Sequence, residues 1–460
     1  MNEILPVIFY GALILGVLVL VHELGHFLVA KWLGVRVISF SIGMGPRVTG
    51  FSRGGTDYRI SALPLGGYVR MAGDTPEAED RTGAPNEFLS KPWWARALIA
   101  AAGPGANLVF ALLVNVGLYA VGIEGRDFTA RIAKVSPGSV AERVGLQPRD
   151  EIVSLAGRAA GRLSDLDQAT VALKGNAEEP LPLVVKRNGS EVTLAFPRRD
   201  LEALGDGLDW DIGTRTVIGQ VLIGHPAYSA GLREGDEILT VDGKNVRDWT
   251  ELSSSLRGRP DTERALMVRR EGRTFPLTVK TSGEGTIGIL PPQTLTYRQT
   301  FPPGKAIAYG IEQTFRVTGQ IYAGLWSFFS DPVRLHTSIA GPIAIAQVAR
   351  EQARGGVQQL VNFASFISLA LMVMNLLPIP ILDGGHIFFA LIEAARRKPL
   401  SFRTQNFFQQ VGLVVLIGLM VFAFYNDVSR ESQRKQAEAD IDKRLRSTAP
   451  ADTAAPVPGP

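Results

Sequence analysis

The stretch that most limits what this 460-residue chain can fold into is Val21-His22-Glu23-Leu24-Gly25-His26, because it lies inside an apolar run. Ile4 to Val21 holds eighteen positions without a charge, and Phe27-Leu28-Val29-Ala30 follows the motif. At about 1.5 Å per helical residue the leading run alone covers about 27 Å, close to the hydrocarbon thickness of a bilayer. H-E-x-x-H therefore falls late in an expected membrane-spanning helix. His and Glu in such a span cost on the order of a few kcal/mol when ionised and are usually there for function. Residues four apart share a helix face, so His22 and His26 can grip one metal ion. Zinc suits imidazole nitrogen and keeps an open position for water in catalytic sites. Glu23, beside the first ligand, can take a proton from that water. A chance match leaves three polar residues in lipid for no reason.

Composition fits a mixture of membrane spans and soluble domains. The net charge of +4 is small, and no dense Lys/Arg cluster of the nucleic-acid kind occurs, so nucleic acid is not an expected partner. Without Cys there are neither disulfides nor thiolate ligands. Histidine is confined to His22, His26, His225, His336 and His386, so a third ligand must be a carboxylate or one of the last three. The N-terminus lacks a basic leader region and a small-residue cleavage site, and is not read as a cleaved signal peptide.

Lys31 to Arg96 is polar and basic, and so cytoplasmic by the positive-inside rule. The first span then enters with its N-terminus outside and its His pair toward the cytoplasm. In this loop Gly43-Met44-Gly45 is a turn signal. Asp57-Tyr58-Arg59-Ile60-Ser61-Ala62-Leu63 alternates like a strand, and Pro64-Leu65-Gly66-Gly67-Tyr68-Val69 turns and continues it. The resulting hairpin either dips toward the membrane or is an ordinary cytoplasmic one. Ala97 to Gly122 is a second span; its Gly103-Pro104-Gly105-Ala106-Asn107 favours close helix approach and a local break at the proline.

Phe128 to about Leu290 is soluble in character and repeats internally. Gly145-Leu146, then Asp150-Glu151-Ile152, recurs as Gly231-Leu232, then Asp236-Glu237-Ile238, at a spacing of 86 residues, and each copy ends in a hairpin. Two small α+β domains of about 80 to 90 residues follow. Their pattern resembles circularly permuted PDZ domains, which add a peptide strand to a sheet edge, although either copy can equally act as bulk over the site. His225, in a turn of the second copy, is read as structural. Tyr297 to Gln359 carries amphipathic stretches with aromatic anchors, and His336 lies in a loop there without a required role.

Leu360 to Leu377 is a third span running into Asn375-Leu376-Leu377-Pro378-Ile379-Pro380-Ile381-Leu382-Asp383-Gly384-Gly385-His386. Two prolines two residues apart unwind the helix at membrane depth, which is tolerated only inside protein or a water cavity. Asp383 is the favoured third ligand and His386 the competitor; Asp383 as a simple helix N-cap is the plainer reading. Asn375 either holds substrate backbone or ties helices together. Arg396, Arg397, Lys398 and Arg403 form a second cytoplasmic loop. Val411 to Tyr425 is the fourth span, and the charged, then Ala/Pro-rich tail from Ser429 is expected to be disordered.

The H-E-x-x-H motif in the first span, with N-x-x-P-x-P-x-L-D-G running from Asn375 to Gly384, resembles the site-2 protease family at every fixed position. The expected fold is a polytopic α-helical membrane protein with about four transmembrane helices, a membrane-associated β-hairpin and two inserted α+β PDZ domains. Expected boundaries are 1–35, 36–96, 97–122, 123–212 and 213–295 (the two PDZ domains), 296–359, 360–428 and 429–460. The resemblance implies Zn2+ on His22, His26 and Asp383, Glu23 as general base, and Asn375 helping to hold substrate. It implies that Tyr58 to Val69 is a hairpin pairing with extended substrate, which assigns Tyr58, Ile60 and the loop glycines Gly43 and Gly45 to substrate binding. Met44 departs from the Phe that relatives often carry there. Implied partners are the lipid bilayer, a pre-trimmed single-span anti-sigma factor, and peptide or substrate ectodomain at periplasmic PDZ domains. The expected setting is envelope-stress signalling at a bacterial inner membrane. The alternatives are a membrane-anchored zinc protease acting on soluble or loop segments and a non-catalytic PDZ scaffold.

Overall fold

A computed structural model describes residues 4–74, 82–173, 179–205, 207–210, 216–256, 259–283, 285–292, 295–330, 341–398 and 400–447. The chain divides into two compact units. One comprises Met1–Ile123 with Gln299–Val428, the other Glu124–Arg298 with Ser429–Pro460.

The first unit begins with α1 (Ile4–Trp32), whose 29 residues form a helix of about 44 Å. It is followed by strands β1 (Val37–Arg53) and β2 (Thr56–Met71), then α2 (Trp93–Val121). Among the described residues, four helical stretches are long and apolar enough to cross a membrane: Leu5–Trp32, Trp93–Val121, Val357–Asn375 and Arg403–Leu445. Their outward faces carry Leu113, Val121, Val414 and Val421 at 62 % to 70 % exposure. Such surfaces suit hydrocarbon and are costly in water. Gly25 lets α1 and α2 meet, because a Cβ there would sit 2.2 Å from the Ala102 carbonyl oxygen. Pro104 removes one hydrogen bond from the ladder, having no N–H to donate, yet α2 runs through it as one helix.

Beta strands β1 and β2 form a folded-over hairpin. Phe40 pairs with both Val69 and Tyr58, and Ile42 with both Gly67 and Ile60. Gly43 and Gly45 make the bend within β1, each at φ +87°, a conformation only glycine adopts without strain. Ile42, Met44, Val48, Phe51, Ile60 and Leu63 leave an exposed apolar rim on this hairpin.

The small domains of the second unit contain α3 (Val140–Val144) and α4 (Leu163–Ala172) in the first copy, α5 (Pro226–Ser229) and α6 (Trp249–Leu256) in the second. The first copy has strands β3 (Glu151–Leu155), β4 (Arg158–Ala159), β5 (Leu181–Arg187) and β6 (Ser190–Phe196), in sheet order β4-β3-β5-β6. The second repeats it as β7 (Glu237–Val241), β8 (Lys244–Asn245), β9 (Glu263–Arg270) and β10 (Arg273–Lys280), in order β8-β7-β9-β10. Matching side chains build matching cores: Ile132, Leu146 and Ile152 in one, Ile218, Leu232 and Ile238 in the other. Each copy also carries the same buried ion pair. Arg187 donates to both oxygens of Asp150 and to the Gly145 carbonyl; Arg270 does the same to Asp236 and Gly231. The β5–β6 turn places Asn188 and Gly189 at positive φ, and the β9–β10 turn Glu271 and Gly272, as two-residue hairpins require.

Back in the first unit come α7 (Pro303–Ser330), α8 (Pro342–Arg354), α9 (Val357–Asn375) and α10 (Asp383–Arg396). The last helix, α11, spans Phe402–Ser447. Polar side chains tie α2 to its neighbours: Ser368 Oγ donates to the Asn107 carbonyl at 2.9 Å, Ser365 Oγ to Asn115 Oδ1 at 2.9 Å, and Asn115 Nδ2 to Thr314 Oγ1 at 2.9 Å. Such bonds hold helices together where lipid supplies no hydrophobic drive. Asp427 of α11 caps α8, its carboxylate accepting from the backbone N–H groups of Gly341, Ile343 and Ala344, each at 3.0 Å. His336 lies outside the described residues.

The tail from Ser429 corrects the expectation of disorder. Residues 429–447 are helical and complete the core of the second copy. Ile441 is 2 % exposed within that core, and Leu445 packs against it. Arg434 stacks 3.8 Å over the Tyr228 ring, and Arg233 pairs with Glu438 at 3.0 Å. Gly231 leaves the room: a Cβ there would press on Ile441 and Ala437 at 3.2 and 3.3 Å. Burial of Ile441 repays the ordering of a charged helix that no isolated segment of this composition would sustain. Ile441→Ala is expected to destabilise the second copy by about 2 to 4 kcal/mol. Hydrogen exchange on the intact chain would read this as faster exchange in β9 and β10, with the first copy unchanged; unaltered exchange in both would refute the packing role.

Candidate metal centre

Helix α1 sets His22 and His26 one turn apart, with ring planes 83° to each other and centroids 4.8 Å apart. Their Nε2 atoms lie 3.2 Å from one another. Asp383 reaches the same point from α10, with Oδ2 3.1 Å from His22 Nε2 and Oδ1 3.4 Å from His26 Nε2. Side-chain exposures are only 12 %, 10 % and 19 % for His22, His26 and Asp383. Asp383 Oδ2, although close to His22, makes no properly oriented hydrogen bond and is buried without a hydrogen-bond partner. Two imidazole nitrogens and a carboxylate crowded at 3.1 to 3.4 Å are poor hydrogen-bond geometry and good coordination geometry. A tetrahedral ion with bonds of about 2.0 to 2.1 Å sets its ligand atoms about 3.3 Å apart. Among the described residues this trio is the one group of three or more potential ligands close enough to share an ion. The donors are of the kind zinc accepts, and three protein ligands leave the fourth position for water or substrate.

The path of the chain through its proline break explains how Asp383 arrives there. Asp383 is the first residue of α10, preceded by Leu382 as N-cap, and no side-chain capping bond is formed. Asp383 is thus not itself the N-cap, and its carboxylate is turned to the histidines. Gly384 and Gly385 allow the tight return, since a Cβ on either would lie 2.1 Å or 2.4 Å from the carbonyl oxygens of Leu377 and Ile379. His386 is exposed and outside the trio. Glu23 sits one residue from His22 and faces the hairpin: Gly67 is close enough that its Cβ would touch Glu23 Cγ at 3.4 Å, and the Val69 backbone N–H is near enough to favour its carboxylate.

Helix α2 contributes no ligand yet shapes the pair. His26 Nδ1 donates to the Ile99 carbonyl at 2.7 Å, which leaves Nε2 as its lone-pair nitrogen. Asn107 Nδ2 lies 3.3 Å from His22 Nδ1. A Cβ on Gly103 would fall 2.3 Å from His26 Nε2 and 2.8 Å from His22 Cε1, so both rings occupy the space this glycine vacates. Sequence reasoning took Gly103 and Asn107 only as helix-packing residues; their i, i+4 spacing, the same as that of the histidines, was the available signal.

The other expected residues lie apart from the trio. Tyr58 stacks on Phe51 at 5.1 Å and meets Phe27 edge-on at 5.8 Å, while Ile60 is half exposed. Gly43 and Gly45 serve the bend of β1. It is Gly67 and Val69, further along the hairpin, that touch Glu23. Asn375 is the partly exposed last residue of α9. His225 caps α5 in the other unit, where a Cβ on Gly288 would lie 2.2 Å from the His225 Cβ.

Known proteins resemble the chain over most of its length. The profile of peptidase family M50 matches residues 10–419. The chain belongs to peptidase family M50, the site-2 proteases. This M50 chain is 32 % identical over 439 residues to regulator of sigma-E protease RseP of Salmonella typhimurium, covering 90 % of this chain and 97 % of that one. It is 31 % identical over 455 residues to a putative zinc metalloprotease of Neisseria meningitidis (91 % and 98 % covered), and 32 % identical over 450 residues to one of Xylella fastidiosa (93 % and 100 %). The M50 protein is thus a metalloprotease of the site-2 type, a multi-pass membrane protein with β-rich domains.

Gly103→Ala is expected to empty the site while leaving the fold. Its added methyl displaces both imidazoles, so bound metal per chain should fall to less than one tenth of the wild-type value with helical content retained. Elemental analysis beside far-UV circular dichroism checks this, and wild-type metal content in the variant would exclude the seat assigned to Gly103.

Proposed function

We propose that this chain is a zinc-dependent intramembrane endopeptidase that cuts the transmembrane segment of an already trimmed membrane protein. The observation that carries the reading is the convergence of His22, His26 and Asp383 from two apolar helices at 3.1 to 3.4 Å. His22, His26 and Asp383 would hold a zinc ion, which would supply Lewis acidity at the scissile carbonyl. Glu23 is the base that would take a proton from the attacking water and return one to the leaving amine nitrogen. A helix hides its peptide bonds in its own hydrogen bonds, so substrate must be unwound before attack. An edge of the β1–β2 hairpin, with Tyr58 and Ile60 on β2 and Gly43 and Gly45 at its bend, receives the extended segment and replaces the lost bonds inside an apolar site. Asn375, at the end of α9, helps hold the substrate backbone. The contact of Gly67 and Val69 with Glu23 supports a hairpin that works next to the chemistry.

The two copies in the second unit act as PDZ domains, 123–212 and 213–295, that screen substrate ectodomains by size or by peptide capture. Their repeated four-stranded sheets with short helices support this. The metal-bearing end of α1 faces the cytoplasm and the termini and PDZ domains the periplasm in this reading, which the basic loops support. The name of the Salmonella relative, regulator of sigma-E protease, supports an anti-sigma factor as substrate and the inner membrane as location. Cleavage of a bilayer-embedded substrate in preference to the same peptide in water separates this reading from a protease of soluble loops.

Glu23→Gln is expected to keep one zinc per chain and lose cleavage of a reconstituted transmembrane substrate by about 10²- to 10⁴-fold. Asp383→Ala is expected to lose both zinc and cleavage. Full cleavage by the Glu23 variant would overturn its role as base, and full zinc content in the Asp383 variant would overturn the ligand set.

A further inference from the structure

We propose that Asn107 is the positioning residue that fixes His22 as an Nε2 ligand, its carboxamide oxygen being the group that serves the Nδ1–H of the ligating imidazole. The inference rests on the zinc reading above. Asn107 is fully buried on α2, with Nδ2 3.3 Å from His22 Nδ1 and Oδ1 buried without a partner. In this orientation the amide donates to Nδ1, which leaves the proton of a neutral imidazole on Nε2, beside Asp383. That tautomer cannot ligate through Nε2. Coordination through Nε2 needs the lone pair there and the proton on Nδ1, so an N–H would then face an NH₂ group. A half-turn of the carboxamide removes the clash by presenting Oδ1, now without a partner, to the Nδ1–H. One side chain thus satisfies both tautomers of His22.

The partner of His26 cannot do this. The Ile99 carbonyl is an acceptor only, and it holds His26 in the ligating tautomer with or without metal. The two imidazoles are therefore supported from the same helix in different ways, one fixed and one adjustable. Helix packing does not explain the carboxamide, because Ser368 ties α9 to the Asn107 backbone carbonyl and not to its side chain. Outer partners of this kind set ring orientation and ligand basicity, and their loss weakens metal binding by about 10- to 100-fold.

The test compares zinc affinity of the full chain in detergent, by competition with a chromophoric chelator, for wild type, Asn107→Leu and Asn107→Asp. Leucine has the same bulk and no acceptor; aspartate keeps an acceptor at the Oδ1 position. The leucine variant should bind zinc about 10- to 100-fold more weakly, while the aspartate variant stays within about threefold of wild type or binds more tightly. Leucine within threefold of wild type, or aspartate as weak as leucine, overturns the proposal. A second measurement stands even where the leucine variant does not fold. ¹⁵N spectra of histidine-labelled, zinc-loaded wild type should show His22 protonated at Nδ1; ligation through Nδ1 overturns the proposal. Failure of wild type to bind one zinc would instead defeat the reading on which it rests.

Discussion

The membrane unit depends on bringing two imidazoles and a carboxylate to one point where charge is expensive. Alone in an apolar helix each of these groups is a liability of several kcal/mol. Together, at 3.1 to 3.4 Å, they form a set that a divalent ion can neutralise. Much of the surrounding packing follows from that demand. Glycines at 25, 103, 384 and 385 strip away side chains wherever the supporting backbone must come closer than a Cβ permits. The result is a site built by removal as much as by addition, with α2 as a scaffold pressed against both rings.

The same economy extends outward from the trio. Arg96 of α2 forms a buried ion pair with Glu393 of α10, and Glu393 also accepts from the Leu400 backbone and the Gln405 side chain. The helix that supports the histidines is thereby tied to the helix that supplies the carboxylate. A buried charge pair of this kind contributes little net stability against an apolar alternative, but breaking one side of it is costly, so it locks a relative placement of two elements. Asp427 does similar work at the N-terminus of α8, where three backbone N–H groups share one carboxylate.

The trio was legible in the sequence because each part carries its own signature: a four-residue spacing in an apolar run, and paired prolines before an acid and two glycines. The repeat was legible because the same core positions recur at 86 residues. What stayed hidden was hidden for physical reasons. The Ile99 carbonyl is a backbone group, and no residue code marks a helix that offers one to a histidine 73 positions away. The folded-over hairpin depends on one strand pairing on two sides, which alternation alone does not reveal. The helix beyond Ser429 misled because its apolar stripe is thin, with Ile441 and Leu445 among Arg, Lys, Glu and Asp, a composition that reads as solvated unless the groove that receives it is known.

That last helix has a bearing on how the protein is made. Ribosomes deliver the second copy's strands and their core long before Ile441 and Leu445 emerge, because the whole of α7 to α10 and an apolar stretch of α11 lie between. The small domain is thus left with an uncapped hydrophobic face throughout synthesis of the later helices, and it closes only once Ile441 and Leu445 have followed. Where Ile441 and Leu445 fail to reach it, the second copy keeps that apolar face open to water.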